Sequence, residues 1–212
     1  WLKDYLLGML LGIITISIAV GITLPTGGIT LTPNLESGVN AILLTFLTSF
    51  CVFFVAAAFE EVLFRGYVLQ TLSRADLAWL GLIITSLPFA LVHLGNPNSN
   101  SISTINTALA GIWLGSAYLK TRSLWLAFGL HLAWNWWQGA FFGIKVSGIG
   151  QLTPHPLFIP TRQGADWLTG GEYGIEGGIA CTIALIISTI LIWMLPVFYA
   201  TDEMTALTSQ EN

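Results

Sequence analysis

Six stretches of the chain run almost without charge, at about 5–24, 39–60, 78–94, 103–119, 123–143 and 177–199. Each is close to the roughly 20 residues that an α-helix needs to cross a hydrocarbon core about 30 Å thick. Apolar residues surround these segments instead of forming one stripe, most clearly from Ile179 to Tyr199. A surface helix of a water-soluble bundle would keep a polar face. The pattern predicts an all-α fold, a polytopic transmembrane helical bundle of about six spanning helices, with 1–212 as a single membrane domain. Turn residues separate the segments: Pro25-Thr-Gly-Gly, Thr32-Pro-Asn, Gly95-Asn-Pro-Asn-Ser-Asn and Thr121-Arg-Ser. A Gly/Pro-rich stretch at about 144–176 reads as a long loop.

Composition strengthens this reading. Hydrophobic residues make up 54% of the chain and charged residues 8%, against about 25% charged in a soluble domain. The formal net charge of −4 argues against nucleic acid as a partner, because phosphates require a basic face. The lipid bilayer is the expected partner. Cys51 and Cys181 lack CxxC spacing and read as small buried hydrophobes. The apolar run after Lys3 has no signal-type cleavage site and reads as a retained span.

Basic residues orient the predicted bundle. With the N-terminus cytoplasmic, Lys3, Arg74, Lys120 and Arg122 fall on the cytoplasmic side, and the loops at 25–38 and 95–102 carry no basic residue. Lys145 and Arg162 fall on the far side in the long loop, beside Asp166, Glu172 and Glu176. Trp79, Trp125 and Trp193 then lie near cytoplasmic helix ends, where interfacial indoles belong. The pairs Gly8/Gly12, Gly111/Gly115 and Gly139/Gly143 predict close helix packing within the bundle.

Charge inside a membrane costs about 2.5–3.5 kcal/mol per residue on insertion scales, so each case needs a reason. The run Phe59-Glu60-Glu61-Val62-Leu63-Phe64-Arg65-Gly66 holds two carboxylates and a guanidinium in apolar sequence. Glu61 and Arg65 have the favourable i,i+4 ion-pair spacing, while Glu60 lies about 100° away and is left free. A structural ion pair with one interfacial glutamate is the plainer reading of this run alone. His93 ends the third segment, and His131 and Asn135 share one face of the fifth. Two histidines, an amide and a spare glutamate at membrane depth each need polar partners, and they can supply one another.

The trio Glu60-Glu61-xxx-Arg65, Phe89-xxx-His93 and His131-xxx-Asn135, in this order on successive helices, resembles the three motifs of the CAAX prenyl protease and bacteriocin-processing family, also called the abortive-infection family. The resemblance covers about 39–143, and the site falls in the central four helices. It implies an intramembrane endopeptidase acting on a membrane protein or lipidated peptide, prenylated or not. It further implies catalytic roles for Glu60, His93, His131 and Asn135: Glu60 as the base that activates water, the histidines assisting, Asn135 helping to hold the oxyanion. Glu61, Arg65 and Phe89 are then supporting residues.

The chemistry accommodates those roles. A carboxylate in a dry pocket beside imidazole can be poised to take a proton from water. An amide and an imidazolium are suitable donors to a developing oxyanion. The expectation is that no cofactor is needed. Zinc is the mechanistic alternative, because Glu60, His93 and His131 have the ligand types of a catalytic zinc site, although HExxH is absent. A non-catalytic immunity or scaffold protein on the same fold, or a small-solute transporter, are the other functional readings. The first does not require a free glutamate, and the second requires charge along a path. Trp134, Trp136 and Trp137 read as packing or as aromatic walls for substrate, and His155 as a solvated loop residue.

Overall fold

The computed structural model describes residues 1–208, so the last four residues of the 1–212 span lie outside the described residues. Helices stand at all six apolar segments. They are α1 (Leu2–Thr23), α2 (Val39–Glu61), which runs on through the π-helical Val62–Leu69 into α3 (Gln70–Arg74), α4 (Ala78–Val92), α5 (Ser101–Thr121), α6 (Leu124–Trp136), extended by the π-helical Trp137–Phe141, and, after a short α7 (Asp166–Thr169), α8 (Ile179–Met194). A final α9 (Asp202–Thr208) follows. The protein is mostly helical.

Local chemistry sets the helix ends. Asn100 begins α5 with a capping box, its side chain accepting from the Ser103 N–H while the Ser103 hydroxyl accepts from the Asn100 N–H. Arg122 ends α5 in the left-handed region at φ 54°, and Ser123 caps α6 through the Trp125 N–H. The helix beginning at Val39 does not stop at the two glutamates, because Val62–Leu69 remains largely apolar and carries it to Arg74 as a rod of 36 residues. The π segment begins directly after Glu61. Such widened turns recur at functional sites in helices.

α6 is the central helix: every residue from Leu126 to Trp134 is buried. α1 lies along it without intervening side chains, because glycine meets glycine. A Cβ at Gly8 would stand 2.4 Å from the Leu126 carbonyl oxygen, and one at Gly129 would stand 2.5 Å from that of Tyr5. Gly21, also in α1, has open space around it. Gly129→Ala is therefore expected to lower the thermal unfolding temperature, by about 1–3 kcal/mol of overpacking. Gly21→Ala is expected to leave it equal or raised, by up to about 1 kcal/mol of helix propensity. Calorimetry in detergent checks the contrast, and equal behaviour of the two variants would contradict the close α1–α6 approach.

Two ends can be distinguished. At one, β1 (Ile29–Pro33) pairs antiparallel with β2 (Phe158–Arg162), Ile29 opposite Arg162 and Pro33 opposite Phe158. There Gly148 fits against the Pro97 carbonyl, so the α1–α2, α4–α5 and α6–α8 connections gather together. At the other end Arg122 hydrogen-bonds Ser73, Lys120 donates to the Trp193 carbonyl at 3.2 Å, and Lys3 sits 4.0 Å over the Tyr199 ring.

Among the described residues, the helices Leu2–Thr23 and Val39–Arg74 are long and apolar enough to cross a membrane, and Ala78–Val92 and Ile179–Met194 are shorter apolar helices. α5 turns Asn106 and Thr107, and α6 turns His131 and Asn135, toward one cavity. The outer faces are apolar: Leu43, Leu47, Val55 and Phe59 on α2, Ile83, Leu87 and Leu91 on α4, and Ile183, Ile186 and Ile190 on α8 are all exposed. Contiguous apolar patches on this scale mark a surface built for lipid or partners.

Candidate active site

Glu61 and Arg65 form the buried floor. Arg65 donates to Glu61 Oε1 at 3.0 Å, with both side chains essentially inaccessible, and its second terminal nitrogen donates to the Gly111 carbonyl at 3.1 Å. That reach is possible because α4 and α5 are in close contact at Gly111, where a Cβ would stand 2.8 Å from Ser86. Phe89 covers the guanidinium, its ring centroid 4.7 Å from the central carbon, and also touches the rings of His93 and His131, at 4.9 and 6.0 Å.

Both histidines are held by one nitrogen. His131 Nδ1 lies 2.8 Å from Glu61 Oε1, and His93 Nδ1 lies 2.7 Å from the Phe89 carbonyl oxygen. These partners only accept, so each Nδ1 carries the proton and each Nε2 is left for other work. His131 Nε2 stands 3.7 Å from Glu60 Oε2, too far for a direct hydrogen bond. Glu60 Oε2 is buried and has no hydrogen-bond partner among the described residues.

These groups border a cavity of about 70 Å³. Glu60, Phe89, His93, His131 and Asn135 line it, while Glu61 and Arg65 lie behind the wall. The helical spacing separates the adjacent glutamates as the sequence predicts. Glu61 does more than the i,i+4 pattern implied, since it orients His131 as well as pairing Arg65. Among the described residues, no group of three or more His, Cys, Asp or Glu side chains stands at a spacing that could hold a metal ion. Glu60, His93 and His131 thus share a cavity without closing into a ligand set.

Residues that sequence reasoning passed over complete the cavity. α5 contributes Asn106 and Trp113, α8 contributes Cys181 and Leu185, and the long loop contributes Ser147 and Glu176. Glu176 accepts from Trp134 Nε1 at 3.2 Å and from the Ser147 N–H. Burial raises its carboxyl above the ordinary range, while hydrogen bonds from Ser147, Gln138 and Trp134 oppose that rise. The only available signal was its position among loop acids, which does not separate it from the exposed Glu172. Of the three clustered tryptophans Trp134 alone lines the cavity. Trp136 bonds the Phe46 carbonyl at 3.0 Å and Trp137 stacks on Phe141 at 4.2 Å. His155 is exposed and contacts Ser37, away from the cavity.

The family model described as Type II CAAX prenyl endopeptidase Rce1-like matches residues 42–137. This part of the chain is similar to that family. The match spans a little under half of the chain and contains every motif residue named above. The Rce1-like segment ends just after Asn135, so α1, the long loop and α8, with Ser147, Glu176, Cys181 and Leu185, lie outside it. Comparison with curated proteins gives no match, and neither does comparison with solved structures.

Proposed function

We propose that the protein is an intramembrane endopeptidase that hydrolyses a peptide bond of a membrane-associated substrate with water activated by Glu60. The observation that carries this reading is the unpartnered Glu60 Oε2, a buried carboxylate oxygen on a residue that lines the cavity, whereas Glu61 lies behind the wall with its Oε1 taken by both Arg65 and His131. A bound water at that oxygen would satisfy it and stand ready for proton abstraction. His131 Nε2 and His93 Nε2, held by their Nδ1 bonds, serve as donors or proton carriers. The Asn135 amide has no side-chain hydrogen bond among the described residues and is available to the oxyanion. In this mechanism Glu60 takes a proton as the water oxygen attacks the carbonyl carbon. Collapse of the tetrahedral intermediate breaks the C–N bond, and the proton passes to the leaving amine. No cofactor takes part. The substrate class follows the family description, a prenylated peptide or an unprenylated membrane peptide entering from the bilayer. Peptide profiles of membranes carrying native protein and Glu60→Gln test the reading: a fragment found only with the native protein supports it, and identical profiles contradict it.

The same proposal makes the chain one membrane domain with its core at about 39–143 and six helices crossing the bilayer. The loops joined by β1 and β2 lie on one side, and Lys3, Arg74, Lys120 and Arg122 on the cytoplasmic side. In Gln163→Cys a membrane-impermeant thiol reagent added outside is expected to label the loop. In Asp76→Cys, labelling is expected only after permeabilisation. The native chain, with Cys51 and Cys181, is the control. The reverse pattern would invert the orientation, and labelling of both from one side would contradict the six-span count.

A further inference from the structure

The cavity contains a second carboxylate that the proposed hydrolysis does not use. Glu176 is set there by a dedicated frame. Asn106 Nδ2 donates to the carbonyls of Glu176 and Gly178 at 2.8 and 2.9 Å, and Thr182 donates to Asn106 Oδ1 at 2.6 Å. Gly170 makes the frame possible: its φ is 87°, and a Cβ there would collide with the Gly174 carbonyl oxygen at 1.7 Å. The carboxylate accepts from Trp134 on Oε1 and from the Ser147 N–H on Oε2, with Gln138 as a further donor beside it. With about four lone-pair sites it can still accept another.

The surroundings define what that donor would be. Among the described residues no lysine or arginine lines the cavity, so the only cations available there are the histidines. Besides Glu176 and the polar Asn106, Thr107 and Ser147, the cavity lining includes the apolar side chains of Trp113, Leu114, Cys181 and Leu185. An apolar wall ending at a carboxylate suits an aliphatic stem with a cationic head. A prenyl chain would fill the wall but leave Glu176 without a countercharge, and a carboxylate would be repelled. We propose that Glu176 is a specificity-determining residue, the end of a subsite that receives a lysine or arginine side chain of the substrate near the scissile bond. This inference rests on the endopeptidase reading, since it supposes a peptide in the cavity.

The test uses full-length Glu60→Gln protein in detergent and a set of fluorescent peptides. In these peptides lysine, norleucine or glutamate is walked through the three residues on either side of the cleavage position. At one position the lysine peptide is expected to bind about 10–100-fold more tightly than norleucine, the range of a hydrogen bond to a charged group, with glutamate weakest. Adding Glu176→Gln is expected to reduce that preference to under about threefold. A lysine-to-norleucine ratio near one at every position would overturn the proposal without any second variant, so a misfolded Glu176→Gln does not protect it. A ratio that survives Glu176→Gln would overturn it as well. Turnover by the native protein is measured in parallel. Loss of peptide cleavage there would defeat the endopeptidase reading while the binding ratio still decides the subsite.

Discussion

Glu60→Gln is expected to abolish peptide cleavage, by at least about 10²–10⁴-fold, while the protein remains folded and inserted in the membrane. The size of the effect follows from the isolation of this carboxylate. Its Oε2 has no hydrogen-bond partner among the described residues, and His131 Nε2 stands 3.7 Å away. Few native contacts are therefore lost when the charge is removed, and the amide that replaces it cannot take a proton from water. Turnover in proteoliposomes and thermal unfolding, measured on the same preparation, separate the two consequences. Cleavage persisting within tenfold of native would remove Glu60 from the mechanism.

Glu61→Gln and Arg65→Gln are expected to show the opposite balance. Each breaks a fully buried pair and strands a charge, at a cost of about 3–5 kcal/mol. Glu61→Gln also replaces the ionised acceptor that fixes His131 Nδ1 at 2.8 Å with a weaker neutral amide oxygen, so residual folded protein is expected to have reduced turnover. Arg65→Gln leaves that acceptor in place and acts mainly through stability. Unfolding midpoints in detergent check this order. Both variants should melt well below native and Glu60→Gln, and equal melting of all three would contradict the division of labour between the adjacent glutamates.

Which parts of this molecule were legible in the sequence depended on the range of the interactions involved. The helices followed from uncharged runs, and the free Glu60 and paired Glu61 from a 100° step on one helix, because both are local properties. The π turn after Glu61 was not legible, since Val62–Leu69 has the composition of any apolar helix and its backbone bonding is set by neighbours. α5 and α6 read as spans, and only the bundle shows that α6 is buried at every residue from Leu126 to Trp134. Glu176 was missed for a tertiary reason. Its place in the cavity is fixed by Asn106 on α5, Trp134 on α6 and the Ser147 N–H, partners 29 to 70 residues away in the chain.

The central claim, that Glu60 activates water directly, is tested most sharply by the cleavage rate of purified, metal-stripped protein. The Nε2 atoms of His93 and His131 suit either hydrogen-bond donors or metal ligands, so the experiment decides between real alternatives. Native protein in proteoliposomes is treated with chelator, analysed for bound metal, and assayed on a membrane peptide beside Glu60→Gln. The account predicts an undiminished rate in the native protein with less than stoichiometric metal, and none in the variant. Loss of native activity on chelation, restored by zinc in step with one metal per chain, would contradict it.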